Sequence, residues 1–134
     1  MASIRREMHI DTSPEAAWDA LRDVGALHTR LVPGFVTDTK LEEGARIVTF
    51  GNGLVARELL VDIDEKTRRV AWAVVGSEAM SHHNASAQVF PDGEGCRFVW
   101  IADLLPHAAA PQIAAMMDQG MEVIRKTLES AQGQ

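Results

Sequence analysis

The order of elements constrains this chain most: an opening strand, a short capped helix, a long middle made only of strands, and one amphipathic helix carrying Met116, Met117 and Met121. A sheet has two faces and a single helix can cover only part of one, so the pattern encloses a site between them. Thioether side chains adapt to irregular apolar shapes, which suits such a wall. The arrangement points to holding a small molecule, and no motif in it names one.

Residues 4 to 10, Ile-Arg-Arg-Glu-Met-His-Ile, alternate apolar and polar as a strand with one wet face does. Asp11-Thr12-Ser13-Pro14-Glu15 then reads as a helix start, with Ser13 as cap, Pro14 at the first helical position and Glu15 against the dipole. Ala17, Trp18 and Leu21 form the inner side of a short helix ending near Gly25, and a second helical piece over 25 to 31 is stopped by Pro33-Gly34. Strands are expected over 35 to 42, 45 to 51, 54 to 63, 69 to 76, 82 to 90 and 96 to 103, each break carrying Gly, Pro, Asn or Asp. Short turns between consecutive strands predict one antiparallel meander. The last helix runs from Pro111 to about Ala131, with Ile113, Met116, Met117, Gly120, Met121, Ile124 and Leu128 on one arc. At the helical rise it is roughly 31 Å long, enough to cross the sheet. The fold class is therefore α+β, in β-α-α-β6 order with a long C-terminal helix.

The 134 residues fit one domain, 1 to 134, large enough for a real core. Net charge is -6 and the basic residues form no run longer than a pair, which argues against a nucleic-acid partner. Apolar stretches fall far short of a membrane span and Met1 to Ile10 lacks the layout of a signal peptide, so the expectation is a cytoplasmic protein without integral membrane insertion. Cys96 is alone, which excludes an intrachain disulfide and a thiolate metal cluster and suits a small apolar filler better than a reactive thiol. Tyr is absent, removing a usual proton donor from any pocket.

Ser13-Pro14-Glu15-Ala16-Ala17-Trp18, Pro33-Gly34-Phe35, Gly44-Ala45-Arg46-Ile47-Val48, Asn52-Gly53 with Glu58 and Asp62, Trp72, and Gly95-Cys96-Arg97-Phe98-Val99-Trp100 occur in that order. As an ordered set spanning nearly the whole chain they resemble the START-like (SRPBCC) superfamily, in its polyketide cyclase/dehydrase and lipid-transport branch. The resemblance implies a helix-grip fold, a curved antiparallel sheet wrapped around the C-terminal helix with a cavity between. Its members include lipid carriers, hormone receptors, aromatase/cyclases and quinone-binding proteins, so fold alone does not choose an activity. It also implies a cavity mouth near His28 and Arg30, gated by Leu31, Val32 and Phe35, with Asp103, His107 and the Pro106 to Pro111 loop closing the other side. Asp103 reads equally as a strand end in solvent.

With Phe98 and Trp100 turned inward, alternation puts Cys96 and Ala102 with them, His83, Ala85, Ala87 and Val89 beside them, and Val70, Trp72 and Val74 on the same interior. Small Ala85 and Ala87 next to Trp72 and Trp100 leave room for a ligand that aromatic faces can stack on; ordinary core packing gives the same pattern. Met116, Met117 and Met121 carry the same two readings, cavity wall or core filler. Of His82-His83 only one can point inward, and His83 is the choice: a neutral imidazole that could orient a carbonyl or act as a base, or simply a hydrogen-bonded structural histidine. The pair cannot converge on one ion, so no metal site is expected, and no motif requires a cofactor. Glu58 sits among Leu54, Val55, Leu59, Leu60 and Val61, with Arg46 on the neighbouring strand. Facing inward the two would anchor a ligand's polar end; facing outward they are a surface pair worth little, and the outward arrangement is the favoured expectation.

Three functions follow. The first is binding of a small hydrophobic or aromatic molecule, such as a lipid, quinone or polyketide-like compound, by Trp72, Trp100, Phe98, Ala85, Ala87, Met116, Met117, Met121, Phe35, His28 and Arg46. The second is a cyclase or dehydratase with His83 and Glu58 as acid-base residues in the same cavity. The third is an interaction protein whose cavity has collapsed. A homodimer is left open by all three.

Overall fold

A computed structural model describes residues 2–132. Its elements are β1 (Ala2–Ile10), α1 (Pro14–Arg22), a 3₁₀ turn (Val24–Ala26), a π-helical turn (Leu27–Leu31), β2 (Val36–Glu42), β3 (Ala45–Phe50), β4 (Val55–Asp64), β5 (Arg69–Val75), β6 (His82–Asp92), β7 (Gly95–Leu105), a 3₁₀ turn (His107–Ala109) and α2 (Ala110–Gln132). All seven strands join one antiparallel curved sheet in the order β1-β7-β6-β5-β4-β3-β2. The expected elements are all there. The second helical piece differs in kind: it divides between Ala26 and Leu27 into two tight turns, the second closed by an i to i+5 bond from Val32 N to Leu27 O of 2.9 Å. The β6–β7 hairpin is also tighter than expected, since Pro91 and Asp92 stay in the ladder opposite Cys96 and Gly95.

Local chemistry explains the helix starts and seams. Ser13 caps α1, its hydroxyl accepting from Ala16 N at 3.1 Å, with Pro14 and Glu15 in the first turn. Trp18 buries its ring under α1 and donates from Nε1 to Glu65 in the β4–β5 turn at 2.6 Å, while Arg22 bonds the other oxygen of that carboxylate at 2.7 Å. Helix α2 presents Met117, Met121, Ile124 and Leu128 to the interior and is tied to β1 by Arg6 Nε to Asp118 at 2.6 Å. Burying each of these side chains is worth about 1.5–3 kcal/mol. Among the described residues no helix is long and apolar enough to cross a membrane.

Register fixes what faces the helix. Phe98, Trp100 and Ala102 stand opposite Met8, Arg6 and Ile4 on one side and opposite Val89, Ala87 and Ala85 on the other; Trp72 and Val70 continue the row opposite Ala85 and Ala87. Two residues further along β5, Val74 lies opposite Glu58, and Glu58 opposite Arg46. The same inward face therefore includes the carboxylate and the guanidinium. A bulge between Leu60 and Asp62 then shifts the alternation in the distal half of β4.

Candidate functional site

A cavity of about 420 Å3 lies between the concave sheet face and α2. Trp72, Trp100, Phe98, Ala87 and Ala102 form its sheet wall, and Met116, Met117, Ile113 and Ile124 its helix wall. Leu31, Val32 and Phe35 also line it. The rings of Trp72 and Trp100 are 6.4 Å apart and tilted by 50°, and Phe35 meets Phe50 edge to face at 5.7 Å. A space of this size and lining belongs to the range that accepts small organic molecules.

Against this apolar background stands one built polar feature. Arg46 and Glu58 are 4% and 6% exposed, and Arg46 Nε donates to Glu58 Oε1 at 2.8 Å. Nη1 of Arg46 reaches the Val24 carbonyl at 3.3 Å, and the guanidinium lies 5.5 Å from the centre of the Trp72 ring. Both residues border the cavity. The expectation of a surface pair is thus corrected. It rested on the apolar residues around Glu58, but Val55 and Val61 are 64% exposed and Leu59 36%, so β4 turns Glu58 in, with Leu60 opposite Trp72, and turns Val55, Leu59 and Val61 out. Strand pairing decides the matter: Val74 faces inward by alternation from Trp72, and its partner Glu58 must follow. Removing two charges from water is costly unless they are mutually paired and hydrogen-bonded, which this geometry supplies.

His83 borders the cavity from β6, and burial, with His82 as a lesser neighbouring influence, holds its imidazole below the usual 6.5. It is neutral at pH 7. His82 points to the other face, exposed, hydrogen-bonded to Asn84. Three named residues are not on the cavity wall. Ala85 is buried within the sheet and Met121 within the helix–sheet core, while His28 sits on the π-helical turn with Nδ1 buried and without a hydrogen-bond partner among the described residues. Asp103 lies on the opposite face of the sheet, hydrogen-bonded to Ser3 and, at 3.4 Å, to Asn84. Cys96 is fully buried, its thiol pushed up to about 11 by burial and by Asp92.

Several wall residues escaped sequence reasoning. Phe50 and Val48 share the Arg46 face of β3, so the misjudged face concealed them as well. Leu54 and Val55, at 62% and 64% exposure, form an apolar rim together with Ala79 and Met80 from the β5–β6 loop. Gly120 is the buried point where α2 approaches the sheet: a Cβ there would stand 2.8 Å from Trp100 Cζ3. Glycine leaves room for the indole to approach the helix this closely. Among the described residues no three His, Cys, Asp or Glu side chains converge as metal ligands would.

A curved antiparallel sheet gripping a C-terminal helix defines the START-like, helix-grip class of protein. Within it, this chain belongs to the polyketide cyclase/dehydrase and lipid transport family, whose model matches residues 1–129. No curated protein is similar to it in sequence. Among solved structures, an uncharacterised Bacillus thuringiensis protein is 17% identical with a TM-score of 0.86, over 95% of this chain and 98% of that one. A norcoclaurine synthase point mutant from Thalictrum flavum, in complex with a transition-state analogue, is 17% identical with a TM-score of 0.72, over 97% and 95%. A START superfamily protein from Mycobacterium smegmatis is 10% identical with a TM-score of 0.72, over 98% and 97%. At these identities the likeness concerns the fold.

Proposed function

We propose that the protein binds a small hydrophobic or aromatic molecule between the sheet and α2, with Trp72, Trp100 and Phe98 stacking against it and Met116 and Met117 adapting to its outline. The observation that carries this reading is the cavity of about 420 Å3 bordered by Met116, Met117 and the aromatic rings of the sheet. Affinity comes from apolar burial, and orientation from Arg46, Glu58 and His83. A ligand that binds only the folded state raises the melting temperature by mass action, by about 2.7 kcal/mol of stability at a hundredfold excess over Kd. Thermal denaturation against lipids, quinones and polyphenols, together with native mass spectrometry of protein purified from its own host, tests the proposal. A retained small molecule, or a dose-dependent shift, is the expected result; no shift across the panel and no retained mass would refute it.

A second reading rests on His83. A neutral imidazole on the wall of an apolar cavity can accept a proton from a carbon or hydroxyl acid, as a cyclase or dehydratase requires. A structural relative is an enzyme, which makes the fold compatible with catalysis. Replacing His83 by Gln on a substrate that is turned over separates the readings: binding without turnover supports a base, and unchanged turnover removes the role.

A further inference from the structure

Helix α2 carries a glycine in the middle of its inward face. Gly120 stands one turn after Met116 and Met117 and one turn before Ile124, so all four share the side that looks at the sheet. The three neighbours line the cavity, and Gly120 is buried among them. Glycine weakens a helix interior, and the usual reasons for tolerating it do not apply here. Its backbone is helical rather than left-handed, and it lies far from either helix end, where glycine serves as a cap. What remains is close approach.

Two aromatic rings from other segments occupy the place into which a side chain at 120 would project. A Cβ there would stand 2.8 Å from Trp100 Cζ3, 3.3 Å from Trp100 Cη2 and 3.4 Å from Phe35 Cε2. Trp100 comes from β7 and Phe35 from the link before β2, and both border the cavity. Carbon atoms in contact settle at about 3.5–4.0 Å, so one added methyl group must drive the indole away by roughly 1 Å. The packed core resists such a shift and the cavity does not, so the ring yields into the space a guest would fill. Phe35 meets Phe50 edge to face and passes its share of the push to another ring of the wall.

We infer that Gly120 determines the size of guest the cavity takes: its missing side chain lets Trp100 and Phe35 rest on the bare backbone of α2, and the depth so gained admits a flat guest of three fused rings. Any side chain at this position restricts the site to smaller guests. This rests on the cavity-binding reading above and adds a size class to it.

The test is equilibrium dialysis of the whole protein against acetophenone, 2-acetylnaphthalene and 2-acetylanthracene, which carry the same neutral end on one, two and three rings. Affinity for the native protein is expected to rise with each ring, because each buries more apolar surface. In Gly120→Ala the affinity for the three-ring ketone, taken relative to the one-ring ketone, is expected to fall at least about tenfold, as overpacking a filled site implies. Trp100→Phe removes the ring atoms nearest the new Cβ, so adding Gly120→Ala to it should leave its ratio nearly unchanged, a rescue that general destabilisation would not produce. A folded Gly120→Ala protein that keeps the native ratio, or loses all three ketones equally, overturns the inference and leaves the cavity reading standing. A native protein that gains nothing from the third ring does the same. A ratio that falls as far in the double variant as in Gly120→Ala alone overturns the assignment to Trp100. Failure of all three ketones on the native protein overturns the cavity reading and the inference with it. Should Gly120→Ala not fold, Gly120→Val in the Trp100→Phe background restores the bulk against the shortened ring: a fallen ratio there supports the inference and an unchanged one overturns it.

Discussion

Replacing Glu58 by Leu would leave the Arg46 guanidinium, 5% exposed in its side chain, without its counter-ion. Breaking one half of a buried pair typically costs 3–5 kcal/mol, whereas replacing both halves by apolar residues of similar size is often neutral or stabilising by about 1–4 kcal/mol. For a chain of this length 1 kcal/mol moves Tm by about 3–5 °C, so Glu58→Leu should lower it by roughly 10–20 °C. Arg46→Met should cost a similar amount, including the loss of its contact with Trp72. Because that contact is missing from both the single Arg46 variant and the double variant, it cancels from the coupling energy, which isolates the ion pair. Urea denaturation of the four proteins, with m checked for constancy, gives the cycle. Expected are two damaged single variants and a double variant within about 1 kcal/mol of the parent or above it. Single variants that each cost under about 1 kcal/mol with no coupling would mean that the pair behaves as an exposed one, and the inward placement of β4 would be refuted.

Thr39 Oγ1 is buried without a hydrogen-bond partner among the described residues, so Thr39→Val should raise stability by about 1 kcal/mol; a loss in urea denaturation would show that the hydroxyl is satisfied. Gly120→Ala should gain about 0.8–1 kcal/mol of helix propensity yet lose stability overall, since the new Cβ drives into the Trp100 ring; a net gain, with an unchanged near-ultraviolet aromatic spectrum, would sink the packing argument. His83 has a lowered native value, so the unfolded chain holds more protons between that value and the unfolded 6.5. Stability should therefore fall as pH drops through this window, with no penalty above it, and His83→Gln should flatten the slope in pH-dependent melting. Cys96, fully buried and with its thiol pushed up to about 11, should resist alkylation in the native state at pH 8 and react at the rate of unfolding; prompt native labelling would contradict its placement.

The fold was legible because each of its signals is local. Ser13-Pro14-Glu15 begins a helix whatever surrounds it, and Gly44, Gly53 and Gly93 take the positive φ that the turns around them require. The inward rows of β5, β6 and β7 were legible too, since aromatic residues on alternate positions mark one face, and Phe98, Trp100 and Trp72 do so without ambiguity. β4 was not legible, and the failure is physical. Val55, Leu59 and Val61 lie on the outside of a sheet that is uncovered there, and Glu58 lies inside, where a partner twelve residues away makes its charge tolerable. Polarity alone assigns such a strand backwards; only pairing with β5 corrects it. The same gap hid Phe50. For Ala85 and Met121 the face was legible and the depth was not, because core and cavity wall share one surface and only neighbouring side-chain volumes separate them.

The sheet's most consequential seam is its longest-range one. Residues 2–10 pair with residues 96–104 along nine matched positions, from Ala2 opposite Leu104 to Ile10 opposite Cys96. During synthesis β1 emerges well before β7 and must wait, with Ile4, Met8 and Ile10 unsheltered, until some ninety further residues have followed it. Such distant closure makes folding slow and late, and it places the hazard of nascent-chain aggregation at the N-terminal strand. Circular permutants that bring these two segments together in sequence should fold faster, at similar stability, than the native connectivity allows.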